Sequence, residues 1–239
     1  AWRPSNAESS HGTHVAGEIA AAKNGIGMVG VAPGVKVAGI KVATPDGFMY
    51  AEAVVCGFVW AAEHGVDVTN NSYFTDPWYF ACSADPGQKA LADAITRASQ
   101  YAEKKGTVNV AAAGNERLDL AADHLIDPYS PDDTGPHPRD IDTSLCKILP
   151  AELPGVVTVA ATGAKGLKSS YSSYGLGVID IAAPGGDAAY QPPAPPATNG
   201  SILGTLPGGT WGYGSGTSVA APHVAGVVAL IKSTHPHAT

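Results

Sequence analysis

The sequence contains three short segments whose residue types could together carry out acyl transfer. In the first, HGTHVAG, His11 begins an Ala- and Gly-rich stretch with the composition of a helix. An imidazole titrates near neutral pH, so it can accept a proton and return it. A lone histidine is also commonly a hydrogen-bonded core residue. A metal site formed with His14 lacks a third ligand nearby. The segment alone leaves the role of His11 open.

The second segment, GSGTSVAAPHVAG, is a glycine-rich loop that leads into a predicted helix with Ser218 at its start. A helix N-terminus presents unpaired N–H groups and the positive end of the helix dipole, and both favour a developing oxyanion. A serine at this place can equally be a simple helix cap. The segment allows a nucleophile without requiring one.

The third segment, VAAAGNE, is a short apolar run that ends in Gly-Asn. Read as a buried strand, it would project the amide of Asn115 from the carboxyl edge of a sheet, where open α/β sheets place their sites. An ordinary turn asparagine is the alternative.

The elements that must position these residues alternate between strands and helices. This rhythm predicts an α/β fold, a three-layer α/β/α sandwich with a mostly parallel central sheet. Two stretches are predicted to be long surface loops: 117–148, which is rich in Asp and Pro, and 185–210, which is rich in Pro and Gly. Periodicity predicts helices at 12–23, 51–64, 88–105 and 217–232, and strands at 35–42, 66–69, 108–113, 156–161 and 178–183.

Composition narrows the function classes. The chain has 239 residues, 44% hydrophobic and 15% charged, which suits one globular domain. With 14 Lys and Arg against 21 Asp and Glu, its net charge of −7 argues against nucleic acid as a partner. No apolar run approaches the roughly 18–20 residues of a membrane helix, so no membrane partner is expected.

Three cysteines leave two readings open. Cys82 and Cys146 stand in Pro- and Asp-rich loop sequence, where a disulfide would be useful, and Cys56 stands in an apolar helical run that predicts a core position. One disulfide with one buried thiol and three free thiols are both compatible with this pattern. A disulfide would favour an oxidising, extracellular compartment.

HGTHVAG, AAAGNE and GTSVAAPHVAG, in that order, resemble the signature blocks of the subtilisin family of serine peptidases. The segments NGIGMVGVAPGVKVAGIKV, GVDVTNNS, LPGVVTVAA and IDIAAPGG resemble the family's connecting strands and loops. The resemblance covers essentially all of 8–236 outside the two loops. It implies a subtilisin-like fold and a secreted, monomeric serine endopeptidase acting on polypeptides, with a pro-region as inhibitor in the full-length protein.

The resemblance also implies residue roles. Ser218 is the nucleophile, His11 the general base, and Asn115 the side-chain donor to the oxyanion. The departure from the family lies in the bulky YFTDPW, so subsite preference does not carry over. The implied substrate-binding residues are Asn70, Asn71, Ser72 and Tyr73 on a strand that pairs with substrate, and Ala112, Ala113 and Gly114 on a pocket wall.

A catalytic aspartate is missing from this pattern. Ten residues precede His11, none of them Asp, and the Asp133-Thr134-Gly135 tripeptide stands in a Pro-rich loop in the wrong order. We therefore expect one peptidase domain over 1–239, incomplete at the N-terminus and also at the C-terminus, with little activity by itself. The alternative is a catalytically inactive module that binds extended peptides. An esterase is disfavoured, because GTSVA is not a G-x-S-x-G elbow.

The resemblance implies no cofactor for the chemistry but a structural calcium at AKNGIGM. Asn24 would supply a side-chain oxygen, with carbonyls of Ala22, Ile26 and Met28 beside it. A glycine-rich turn without metal is the alternative.

Overall fold

A computed structural model describes residues 10–236 and 238. The prediction that no strand with a catalytic aspartate precedes His11 falls on residues outside this described range. The helices are α1 His11–Ala20, α2 Ala51–Glu63, α3 Pro86–Lys104 and α4 Thr217–Thr234. The strands are β1 Val68–Asn71, β2 Ala81–Cys82, β3 Val108–Ala112, β4 His124–Asp127, β5 Arg139–Asp142, β6 Cys146–Lys147, β7 Val156–Thr162, β8 Ile181–Pro184, β9 Ile202–Leu206 and β10 Thr210–Gly214.

The central sheet is parallel and has the order β1-β3-β7-β8. Small and β-branched side chains on its middle strands let helices approach both faces. Ala111 faces the core under α2 and α3, whereas Val110 and Ala112 face the core under α4. The predicted α/β architecture with helices on both faces of a parallel sheet is confirmed.

Local sequence signals set the helix ends. Asp85 caps α3 by accepting from the N–H groups of Gly87 and Gln88 at 2.8 and 2.9 Å, with proline as the first helical residue. Gly65 and Gly106 follow α2 and α3 with φ of 64° and 95°, a conformation that glycine adopts without strain. The four predicted helices are all present. None of the helices in the described part of the chain is both long and apolar enough to cross a membrane.

The predicted strand at 35–42 is wrong. Within the described residues this segment forms no sheet pairing. It packs through its side chains on α2 instead: a Cβ added to Gly57 would lie 2.9 Å from Val42 Cγ1 and 3.7 Å from Ile40 Cγ2. A β-branched, alternating pattern supplies the side chains of a strand, but only a partner supplies its hydrogen bonds.

The two predicted loops contain more structure than expected. Within 117–148, β4 pairs with β5, and β6 pairs with β2 so that Cys82 stands opposite Cys146. These two cysteines form a disulfide. Within 185–210, β9 forms an antiparallel hairpin with β10. The prediction of surface loops was wrong for these strands. Each of them forms despite its turn-rich composition, because a partner strand supplies its hydrogen bonds.

Cys56 is not the core residue that the sequence predicted. It is a free thiol on the exposed face of α2, between the buried Val54 and Phe58. The helix is apolar on more than one face, so composition alone did not tell its inner face from its outer face.

Candidate active site

The N-terminus of α4 meets the carboxyl edge of the sheet. Residues that follow β3 bind it directly: the Gly114 N–H donates to Thr217 Oγ1 at 3.1 Å, and the Thr217 N–H donates to Asn115 Oδ1 at 2.8 Å. The Ser72 hydroxyl, just after β1, donates to the Ser218 carbonyl oxygen at 2.7 Å. Three segments that are distant in sequence thus meet at the first turn of one helix.

Asn115 and Ser218 face a common point beside Gly216. A Cβ added to Gly216 would lie 3.0 Å from Ser218 Oγ and 3.7 Å from both Nδ2 and Oδ1 of Asn115. The Asn115 amide is held in one orientation, because its oxygen accepts from both the N–H and the hydroxyl of Thr217. Its NH₂ group therefore remains available as a donor near the Ser218 hydroxyl.

Gly114 is required where the chain turns away from β3. Its φ is 102°, and an added Cβ would lie 2.2 Å from the Tyr79 hydroxyl and 2.8 Å from Glu116 Oε2. Glu116 accepts hydrogen bonds from the Tyr79 hydroxyl and, at 2.6 Å, from the Asn115 N–H. Burial raises the pKa of Glu116. This carboxyl fixes the backbone that carries Asn115.

Polar side chains of the predicted substrate strand form hydrogen bonds with other groups of the protein. Asn71 Nδ2 donates to the Val110 carbonyl at 3.0 Å, and its Oδ1 accepts from the Tyr73 hydroxyl at 2.9 Å. Asn70 donates to the Ser72 hydroxyl at 2.8 Å. These contacts hold the side chains of 70–73 in place, so an extended peptide would pair with the backbone of this segment.

His11 is the first residue of α1, which packs against α4 and β9. The residue is exposed overall. Protein atoms displace water around its ring and lower the pKa of His11, and the nearby His14 lowers it further. A lowered pKa keeps the imidazole unprotonated at neutral pH, which is the form a general base needs.

Sequence reasoning missed two residues, Thr217 and Glu18. Thr217 is fully buried and bridges Gly114 and Asn115, and its only sequence signal is its place just before the serine. Glu18 is also buried, in contact with His14. Its signal was an acidic residue four positions after a histidine, on one helix face.

The Asn24 loop lies beside the β9–β10 hairpin. Gly27 approaches Trp211 so closely that an added Cβ would lie 2.0 Å from the indole. Asn24 Oδ1 accepts from the Ile26 N–H at 3.1 Å. Among residues 10–236 and 238, no group of three or more His, Cys, Asp or Glu side chains is arranged to hold a metal. Asn24 and the carbonyls of Ala22, Ile26 and Met28 would together supply four oxygens, fewer than the six to eight that calcium takes.

Comparison with known proteins decides the family. A model of the subtilase family matches residues 1–239. The chain belongs to the subtilase family. Subtilisin NAT of Bacillus subtilis subsp. natto is 35% identical over 228 residues, which cover 95% of this chain and 47% of that protein. Subtilisin of Bacillus pumilus is also 35% identical, over 95% of this chain and 65% of that protein.

Two solved protease structures share the fold. The epidermin leader peptide processing serine protease of Staphylococcus aureus has a TM-score of 0.75 and 29% identity, over 95% of this chain and 53% of that one. The nisin leader peptidase NisP of Lactococcus lactis has a TM-score of 0.74 and 25% identity, over 95% and 63%. The chain spans about half the length of several of the relatives it matches.

Proposed function

We propose that the protein containing this chain is a serine endopeptidase that cleaves peptide bonds in polypeptides. The observation that carries this proposal is the convergence of Ser218 Oγ and Asn115 Nδ2 beside Gly216. Membership of the subtilase family supports the same reaction.

In the proposed reaction, Ser218 Oγ attacks the scissile carbonyl carbon while His11 takes the hydroxyl proton. The carbonyl oxygen becomes an oxyanion and receives hydrogen bonds from Asn115 Nδ2 and the Ser218 N–H. Collapse expels the amine, which takes the proton from His11, and leaves an acyl group on Ser218. Water then attacks the acyl carbon while His11 takes one of its protons, and His11 returns that proton to Ser218 Oγ as the ester bond breaks and the carboxylic acid product leaves.

The substrate lies, in this proposal, between two segments at the sheet edge. The backbone of 70–73 pairs with the extended peptide, and Ala112, Ala113 and Gly114 form one wall for the side chain before the cut. Two neighbours are proteases that process leader peptides, according to their descriptions. Secretion, a monomeric state, an inhibitory pro-region and calcium at Asn24 remain predictions; the disulfide is consistent with an extracellular location.

The test is covalent labelling with a fluorophosphonate, followed by intact mass. We expect the complete gene product to gain one adduct, and the Ser218→Ala variant to gain none. The 239-residue chain, measured in parallel, is expected to label weakly. Comparing turnover of a peptide amide with that of a simple ester then separates a peptidase from an esterase.

The opposite result is equally informative. A folded gene product that takes no label yet binds an extended peptide would establish the inactive, peptide-binding alternative and overturn this proposal.

A further inference from the structure

A buried polar cluster joins α1, α4 and the β9–β10 hairpin. Glu18, on α1, is 2% exposed. Its Oε1 lies 2.6 Å from Nδ1 of His14, and Nε2 of His14 lies 3.2 Å from the Gly212 carbonyl oxygen in β10. On the other side, Glu18 Oε2 lies 3.5 Å from Nδ1 of His223 in α4. Neither the fold nor the proposed peptidase chemistry assigns Glu18 a role.

The hydrogen bonds restrict where protons can sit. A carbonyl oxygen only accepts, so Nε2 of His14 must carry a hydrogen to bind Gly212. The contact between His14 Nδ1 and Glu18 then holds one proton, which belongs either to a neutral carboxylic acid or to an imidazolium facing a carboxylate. The same reasoning places a hydrogen on Nδ1 of His223, which lies 3.0 Å from the Val219 carbonyl oxygen.

The surroundings favour the uncharged acid. Glu18 Oε2 is buried without a hydrogen-bond partner among the described residues, a cost far larger for a carboxylate than for an acid. The ionisable groups in contact with it are His14 on its own helix and His223 on α4, and His11 on the same helix lies near His14. Strand β9 has none, and β10 has only the exposed Tyr213. Burial raises the pKa of Glu18 to about 9 and lowers that of His223.

The His14 ring is wedged against the hairpin backbone. A Cβ added to Gly204 would lie 2.4 Å from the ring, and one added to Gly214 would lie 3.2 Å from it. A second bond ties the same elements, since the Thr205 hydroxyl donates to the Thr13 carbonyl at 2.7 Å. Strand β10 ends two residues before Gly216, which precedes the first turn of α4. The His14 side chain therefore links helix α1, which begins with His11, to the segment that leads to Ser218.

We propose that Glu18 is a positioning residue: as an uncharged carboxylic acid it donates its proton to His14 Nδ1, and so fixes the tautomer with which His14 binds Gly212. Its effect on turnover rests on the proposed peptidase function, but its protonation state does not. Loss of that proton leaves the carboxylate facing the lone pair of a neutral imidazole. The link between α1 and the hairpin then weakens as pH rises.

The first experiment reads the proton directly and needs no turnover. In the complete gene product labelled with ring-¹⁵N histidine, His14 is assigned with a His14→Gln variant. We expect, at pH 7, a neutral ring with hydrogen on Nε2 and an unprotonated Nδ1 that accepts a hydrogen bond. An imidazolium with both nitrogens protonated at pH 7 would overturn the proposal.

The second experiment compares substitutions at Glu18. In Glu18→Gln an amide N–H replaces the acid as donor and cannot ionise, whereas Glu18→Leu fills the space without a donor. We expect kcat/KM of the wild type to fall about tenfold by one pH unit above 9, as a single deprotonation dictates. The Gln variant should lack this decline, and the Leu variant should lose activity at every pH through kcat rather than KM. Glu52→Gln, at an exposed site on α2, is the matched control.

Thermal unfolding supplies a readout that is independent of catalysis. Between pH 7 and pH 10 the Tm of the wild type should fall more than that of Glu18→Gln. Equal declines in the two proteins would contradict the proposal. A protein with the expected histidine spectra and melting behaviour but no peptidase activity would refute the proposed function while leaving Glu18 in this role.

Discussion

The hydroxyl of Ser72 donates a hydrogen bond to the carbonyl oxygen of Ser218 at 2.7 Å. In a regular helix that carbonyl would accept from the N–H four residues later, but residue 222 is proline and has none. A side chain that follows β1 thus completes a gap in α4. The backbone of the candidate nucleophile is fixed by the predicted substrate strand.

This relationship predicts an unusual pattern of stabilities. Ser72→Ala should reduce the free energy of unfolding by roughly 1–2 kcal/mol, because it leaves the Ser218 carbonyl without its donor. In a Pro222→Ala background the helix supplies its own N–H, so Ser72→Ala should cost clearly less. Urea unfolding of the four proteins measures this coupling. Strictly additive effects would show that the serine hydroxyl does not substitute for the missing helical donor.

Substitution of Asn115 should distinguish a role in stabilising the oxyanion from a role in maintaining the structure. Asn115→Asp keeps an oxygen that accepts from Thr217 but loses the NH₂ donor. We expect kcat to fall about 100- to 1000-fold, the loss known for removal of such a donor in subtilisin, with KM little changed. Steady-state kinetics of the complete gene product measures this. Thr217→Val is the comparison, since it removes the hydroxyl bond to the amide oxygen and keeps the bond from the backbone N–H of residue 217. An Asp variant with wild-type kcat would exclude Asn115 from the oxyanion site.

The disulfide should stabilise the insertion at 117–148. It joins cysteines 64 residues apart and closes the β2–β6 pair. Replacing both Cys82 and Cys146 with alanine should lower the free energy of unfolding by roughly 2–4 kcal/mol. Reductant should destabilise the wild type but not this double variant. Cys56→Ser, at the exposed free thiol, should leave unfolding unchanged; a large effect there would contradict its surface position.

Asp132 should make stability depend on pH near neutrality. Burial, followed by the hydrogen bond and charge of Asp76, raises the pKa of Asp132 to about 7. The folded state therefore holds a proton that the unfolded chain releases near pH 4. The stability associated with this proton is full below about pH 4 and is lost as pH rises through 7. In Asp132→Asn the decline over this range should be smaller, as followed by urea midpoints.

The exposed Asp123→Asn variant is the matched control for Asp132. It should reproduce the wild-type pH dependence, because Asp123 is exposed at the surface. An Asp132→Asn profile that is superimposable on the wild type would refute the assignment.

Signals carried by neighbouring residues were predictable from the sequence. The caps of α3, the glycines that end α2 and α3, and the apolar runs of β3 and β7 depend on contacts within a few residues. The blocks around His11, Asn115 and Ser218 likewise identify a subtilase without any coordinates, since their composition and order are specific.

Features that need a distant partner were not predictable. Segment 35–42 has the composition of a strand but finds no pairing partner in the described chain, and β9 forms in loop-like sequence because β10 lies opposite. Whether Cys56 faced inward depended on which side of α2 met the core.

The sequence by itself determined the family, the order of the helices and central strands, and the three residues proposed for chemistry. Only the tertiary structure decided that Ser72 replaces the helical donor missing at proline 222, that Cys82 pairs with Cys146, and that Glu18 meets both His14 and His223. The physical reason is distance along the chain. Local propensities act between neighbours, whereas burial and hydrogen bonding depend on residues that only the folded chain brings together.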